Sequence, residues 1–168
     1  FPRVEFSLSN LTGIRLWDVD NPALYQLNIS IGGTNFSHQF STRVGFRQAE
    51  FTADGFLLNG RKLKLRGINR HQSYPYVGYA MGDHAQKADA DLIKNEFKFN
   101  LVRTSHYPQA PAFLDRCDEL GLLVFEEIPG WQHIGDELWQ QGAIDNVRAM
   151  IERDWNHPSI ILWGVRIN

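Results

Sequence analysis

From Leu63 onward the chain alternates short apolar runs with stretches of helical period, and this alternation restricts the fold more than any other feature. Leu63 to Ile68 reads as a first strand, and Lys87 to Phe97 places Ala88, Leu92, Ile93 and Phe97 at helical spacing. Asn100 to Thr104 reads as the second strand. Pro111 then opens a helix at its favoured first position, and Gly121 closes it. Leu122 to Phe125 makes the third strand. A longer helix with Ile144, Val147, Ile151 and Trp155 along one stripe precedes Pro158 and a last strand at Ile160 to Val165. Strands joined by helical crossovers predict a parallel sheet with right-handed connections.

Periodicity alone fits a doubly wound sheet and half of a (β/α)8 barrel equally well, and the strand ends decide between them. The first strand runs into Asn69-Arg70-His71, and the second ends at Arg103 and continues into Ser105-His106-Tyr107. The third ends at Glu126-Glu127 and the fourth at Arg166 and Asn168. Polar groups beyond every C-terminal strand end suit a barrel mouth, whereas a doubly wound nucleotide binder needs a glycine-rich first loop that this chain lacks.

Residues 1–47 read instead as β structure with turns. Leu24 to Ile31 alternates, Gly32-Gly33-Thr34-Asn35 turns the chain, and Phe36, His38 and Phe40 share a face. About three strands are expected here, the tail of an all-β module and too few to close a sandwich of about seven. Asp54-Gly55 and Asn59-Gly60 mark hairpins around Phe56-Leu57-Leu58, and the domain boundary is expected near Gly45 to Gln48. The reading is therefore β followed by α/β: the C-terminal part of a sandwich over 1–47, and the first half of a TIM barrel over 48–168, truncated at its fourth strand.

A net charge of -2 from 17 basic and 19 acidic residues gives no reason to expect nucleic acid or an anionic membrane as partner. No apolar span reaches membrane length. The single cysteine, Cys117, excludes an intrachain disulfide; its spacing to Phe113, Leu114 and Leu120 makes it a core thiol. Five tryptophans are enough to furnish an aromatic binding cleft as well as a core.

Gly45-Phe46-Arg47, Leu58-Asn59-Gly60, Arg66-Gly67-Ile68-Asn69-Arg70-His71 and Val102-Arg103-Thr104-Ser105-His106-Tyr107-Pro108 occur in that order, followed by Cys117-Asp118-Glu119-Leu120-Gly121 and Asn156-His157-Pro158-Ser159-Ile160. Over nearly the whole chain these motifs resemble glycoside hydrolase family two, which includes β-galactosidases and β-glucuronidases. The resemblance implies that the sandwich over 1–47 is immunoglobulin-like and precedes a catalytic barrel, and that the whole is a retaining exo-β-glycosidase, most simply a β-galactosidase, with β-glucuronidase or β-mannosidase as alternatives. In such enzymes a carboxylic acid protonates the leaving oxygen and a carboxylate about 5 to 5.5 Å away attacks the anomeric carbon.

By the same resemblance, Arg103 matches the arginine that holds the nucleophile ionised, a task suited to a permanently charged group with fixed donors. His71 and His106 match histidines that hydrogen-bond the sugar, where a neutral ring both donates and accepts. Asn168 matches the asparagine that binds the 2-hydroxyl and precedes the acid/base glutamate, which is expected as the next residue. Both catalytic carboxylates are then expected outside these residues, and the isolated chain is expected to be inactive. Glu126 and Glu127 cannot flank one glycosidic bond, because neighbouring strand residues face opposite ways; one, Glu127, is expected to line the cleft and the other to pair with a helix. Trp131, after Pro129-Gly130, is expected either to stack on a sugar ring or to cap the barrel.

Two departures from the family pattern stand out. Trp163-Gly164-Val165-Arg166-Ile167-Asn168 replaces the common Trp-Ser-x-x-Asn, and Ile128 to His133 lacks the Glu-x-His element that supplies magnesium ligands in some β-galactosidases. No metal and no cofactor is therefore expected. A carbohydrate substrate is the expected partner, homo-oligomerisation is left open, and a cytoplasmic location is favoured. Two rival readings remain: a metal-dependent barrel hydrolase, for which paired ligand spacing is lacking, and a non-catalytic carbohydrate-binding or scaffold module.

Overall fold

The computed structural model describes Glu5 and residues 7–165. Two strands, β1 (Tyr25–Gly33) and β2 (Phe36–Val44), form an antiparallel hairpin in register from Tyr25 opposite Val44 to Gly33 opposite Phe36, turning at Thr34-Asn35. The third strand expected in this region is absent among the described residues. Ahead of β1, Trp17 and Val19 pack against Phe56, Leu58 and Leu123. Trp17 is fully buried, its backbone amide donates to Phe46 O at 2.7 Å and its indole Nε1 to Asp118 O at 2.8 Å.

A three-stranded antiparallel sheet follows: β3 (Ala49–Thr52), β4 (Gly55–Leu58) and β5 (Arg61–Lys62). Asn59 and Gly60 turn the chain between β4 and β5 with φ of 52° and 77°. Positive φ at both central residues is the condition for the tight hairpin turn whose twist matches the strands, and Asn-Gly meets it at least cost. The Asn59 amide also donates to Trp17 O at 3.0 Å, tying this turn to the preceding segment.

The remaining strands, β6 (Gly67–Arg70), β7 (Leu101–Thr104), β8 (Leu123–Glu127) and β9 (Ile160–Gly164), form one parallel sheet in sequential order. Helices α1 (Asp83–Asp91), α2 (Pro111–Leu120) and α3 (Glu137–Asp154) connect them. Strand β6 begins later than the expected Leu63. Leu63 and Leu65 pack into a lower cluster with Trp17, Phe56, Leu58 and Leu123, and parallel pairing starts only at Gly67 opposite Leu101. A Cβ at Gly67 would fall on the Leu101 carbonyl, so only glycine permits this approach. Gly67→Ala is expected to destabilise the fold by more than about 2 kcal/mol, read as a lowered melting temperature; an unchanged melt would refute the close-approach argument.

Two helices bury faces other than those expected. In α1 the buried residues are Gln86 and Ala90, followed by Ile93, while Leu92 and Phe97 are exposed. The helix starts four residues before Lys87, at Asp83, and widens into a π-turn over Leu92–Glu96, which rotates the face away from a uniform 3.6-residue stripe. In α3 Met150 and Asp154 are buried, whereas Ile144 and Trp155 are exposed. A salt-bridged aspartate thus takes a contact position that apolar periodicity assigned to its neighbours. Helix α2 follows expectation: Pro111 starts it and Gly121, at φ 71°, caps it.

The main core lies between the parallel sheet and its helices, from Ala90, Ile93, Val102, Phe113, Leu114, Cys117, Leu122, Val124 and Ile160. Trp163 is partly buried against it. Cys117 is fully buried, and that burial raises its thiol pKa well above the usual value, so it is an inert core thiol. Among the described residues no helix is long and apolar enough to cross a membrane.

Candidate active site

The parallel register carries residues of β6, β7 and β8 to one sheet end. Arg103 lies opposite Asn69 on one side and Phe125 on the other, so its side chain shares a face with that of Glu127 two residues past Phe125. There Arg103 Nε donates to Glu127 Oε1, and His106 Nδ1 lies 2.9 Å from Glu127 Oε2. The Glu127 amide donates to Thr104 Oγ1 at 3.2 Å, locking β8 to β7 at this point. Glu127 is fully buried while Arg103 and His106 are partly open, so one inward carboxylate holds two groups that face outward. Gly164 on β9 leaves room for it, since a Cβ there would strike Glu127 Cγ.

Rings extend from this ion pair across the mouth. His71 and His106 meet edge to face at 5.7 Å, and Trp131 stacks on His106 at 5.8 Å with 25° between planes. Trp131 is 64% exposed, so one face is free for contact. Tyr107 packs against His71 at 6.2 Å and Tyr79 at 5.8 Å, and its hydroxyl accepts from the Gln72 amide at 2.9 Å. Burial raises the Tyr107 phenol pKa, keeping it neutral. The arrangement offers a cation, two imidazoles and an aromatic face side by side at one sheet end, a set suited to a polyhydroxylated ring.

Of the residues singled out from sequence, Arg103, His71, His106, Glu127 and Trp131 therefore gather at one site. Asn168 lies outside the described residues. Glu126 is also fully buried but faces the helical layer, where its carboxylate accepts from the Gln109 amide at 3.4 Å and pairs with Arg153 of α3 at 3.5 Å.

Sequence reasoning missed the support of the site. Arg70 is buried under its neighbours: it donates to Asp89 at 2.8 and 3.0 Å, to Gln86 at 2.7 Å and to Gln109, with its guanidinium 4.0 Å from the Phe113 ring centroid. Its signal was its place within the motif ending at His71, one residue out of phase with the mouth. Arg47 donates to the carbonyls of Pro158, at 2.6 Å, and Ile160, clamping the start of β9 to the segment before β3.

One group of metal-capable side chains exists among the described residues: Asp115, Asp118 and His157, in a region apart from the mouth. Protein partners engage it. Asp118 holds His157 Nδ1 at 2.5 Å and the Ser159 amide at 3.0 Å, while Asp115 pairs with Arg43 at 2.6 Å. Burial alone would lower the His157 pKa, but the Asp118 hydrogen bond and the surrounding carboxylates raise it. The cluster joins α2 to the turn before β9.

A fourfold parallel sheet with its polar groups at one end is the partial barrel expected of a glycosidase, and comparison with known proteins agrees. The family model described as glycosyl hydrolases family 2, TIM barrel domain, matches residues 49–166, and a second glycosyl hydrolases family 2 model matches residues 3–47. The chain belongs to glycosyl hydrolase family 2. A protein named beta-galactosidase from Thermoanaerobacterium thermosulfurigenes is 64% identical over 97% of this chain and 23% of its own length. A putative beta-glucuronidase from Formosa agariphila is 40% identical over 93% of this chain and 19% of its own. The solved beta-glucuronidase of Parabacteroides merdae superposes with a TM-score of 0.85 at 38% identity, over 89% of this chain and 19% of that one. The chain thus spans less than a quarter of these relatives.

Proposed function

We propose that this chain forms part of a retaining exo-β-galactosidase, in which residues 1–47 close an immunoglobulin-like sandwich and residues 48–168 open the catalytic barrel. The observation that carries the reading is the convergence of Arg103 and His106 on buried Glu127, with His71 and Trp131 beside them. In this account Arg103 projects a positive charge toward the nucleophile, His71 and His106 hydrogen-bond sugar hydroxyls, Trp131 lies against the ring's apolar face, and Asn168 contacts the 2-hydroxyl. Glu127 acts by holding Arg103 and His106. Galactose is favoured over glucuronic acid because 64% identity to a protein named beta-galactosidase exceeds the 40% and 38% found with glucuronidases.

Turnover of nitrophenyl β-glycosides by the complete enzyme carrying this segment tests the reading. The β-galactoside is expected to be hydrolysed at least ten times faster, by kcat/KM, than the β-glucuronide, a gap of about 1.4 kcal/mol. The reverse order would transfer the assignment to β-glucuronidase, and no turnover of either would favour a non-catalytic binding role.

A further inference from the structure

The loop that carries His106 leaves β7 after Thr104 and enters α2 at Pro111; backbone bonds hold its start, from Ser105 N to Arg70 O at 3.0 Å and from Tyr107 N to Thr104 O at 3.4 Å, and side chains hold the rest. Glu126 Oε1 accepts from the Gln109 amide at 3.4 Å, Arg153 donates to Gln109 O at 2.9 Å, and the Gln109 side chain donates to Tyr107 O at 3.1 Å and accepts from Arg70. Gln72 Oε1 accepts from the Ala110 amide at 2.7 Å. Gln109 is 1% exposed and Glu126 fully buried, so water cannot replace these partners.

We propose that Glu126 is a positioning residue: with Asp154 and Arg153 of α3 it grips Gln109, and through Gln109 it fixes the loop that presents His106 to the substrate. The inference rests on the reading of His106 as a sugar ligand. Glu126 itself touches no substrate, because its side chain lies on the opposite face of β8 from Glu127.

The bracket holds two buried carboxyls, since Arg153 pairs with Glu126 at 3.5 Å and with Asp154 at 2.6 Å. Glu126 Oε2 is buried with no hydrogen-bond partner, a position that favours the neutral acid. Burial first, and then the charge of Asp154, push the Glu126 carboxyl up to about 8, against the opposing pull of Arg153. Among the other ionisable groups nearby, Arg70 at the end of β6 holds the far side of Gln109 and Cys117 of α2 stays neutral, while β9 contributes Trp163 at the paired position. Above this range the Glu126 carboxyl carries a charge that Asp154 repels, and the grip on Gln109 loosens.

The sign of the linked stability follows. Between the ordinary glutamate pKa and about 8 the folded state binds more protons than the unfolded state, so stability falls as pH rises through that window. A glutamine at 126 still accepts from the Gln109 amide and has no proton to lose in this range.

In the complete enzyme, kcat and KM for nitrophenyl β-galactoside from pH 6 to 10, with melting temperatures over the same range, compare wild type, E126Q and E126A. E126Q is expected within about 3-fold of wild-type kcat/KM at pH 7, with its alkaline decline moved up by about one pH unit and a shallower loss of melting temperature. E126A is expected to lose roughly 30-fold, below the 100-fold that a misplacement of about 1 Å can cost. Should E126A fail to fold, the E126Q profile decides. Wild-type turnover with an E126Q profile superimposable on it would overturn this proposal alone. Absence of turnover in the wild type at every pH would overturn the galactosidase reading and this proposal with it.

Discussion

Replacing Arg103 with alanine in the complete enzyme is expected to lower kcat/KM for nitrophenyl β-galactoside about 1,000-fold, the upper end of what removing one preorganised electrostatic group costs. The chemistry in this account depends on a fixed positive charge beside the nucleophile, and Arg103 is aimed by a carboxylate that cannot move. Sequence alone predicts little loss of fold, as for a group that serves catalysis only. The geometry revises that. Arg103 is paired with fully buried Glu127, and its removal strands part of that carboxylate's charge. Because the Arg103 side chain is 30% exposed, water enters where it stood, and the stability cost is expected near 1–3 kcal/mol, not the 3–5 of a sealed pair. Arg103→Lys keeps the charge but not the planar fork, and is expected to recover only a small part of the rate. Kinetics beside thermal melts check both halves. An alanine variant within ten-fold of wild type would show that Arg103 is an ordinary ion pair.

Glu127→Ala is expected to be nearly as damaging to turnover, about 100- to 1,000-fold, although Glu127 contacts no substrate in this account. It removes the shared anchor of Arg103 and His106 at once, and both side chains then have rotamer freedom at the mouth. Glu127→Gln preserves volume and the acceptor toward Arg103 but loses the charge, so an intermediate loss of about 10- to 100-fold is expected. The informative measurement is the double variant. If Glu127 acts through Arg103, Arg103→Ala with Glu127→Ala is little worse than Arg103→Ala alone; fully multiplied losses would mean that the two act independently.

The sequence made the sheet legible because each parallel strand is a short apolar run closed by polar residues, and because Pro111 and Gly121 mark helix ends by backbone chemistry that needs no tertiary context. It misjudged helix faces where a polar side chain is buried. Gln86 and Asp154 occupy contact positions on α1 and α3 that hydropathy assigns to solvent, since their partners, Arg70 and Arg153, come from elsewhere in the chain or from an adjacent residue. It also overextended β6 through Leu63 and Leu65, apolar residues that pack in the lower cluster without joining the ladder.

The site divided in the same way. Arg103, His71 and His106 could be named because they lie at or just beyond strand ends and within recognisable motifs. That Glu127 binds two of them could not, because it depends on the register between β7 and β8 and on Gly164 making space. The bracket of Glu126, Gln109 and Arg153 joins residues up to 44 positions apart whose identities separately suggest solvent-facing groups.

The anomer first released from nitrophenyl β-galactoside by the complete enzyme shows whether these residues serve a retaining glycosidase. Proton NMR during the first minutes of hydrolysis is expected to show β-galactose appearing before mutarotation produces the α-anomer. Initial release of α-galactose would contradict the double displacement, and with it the role assigned to Arg103 beside a covalent nucleophile.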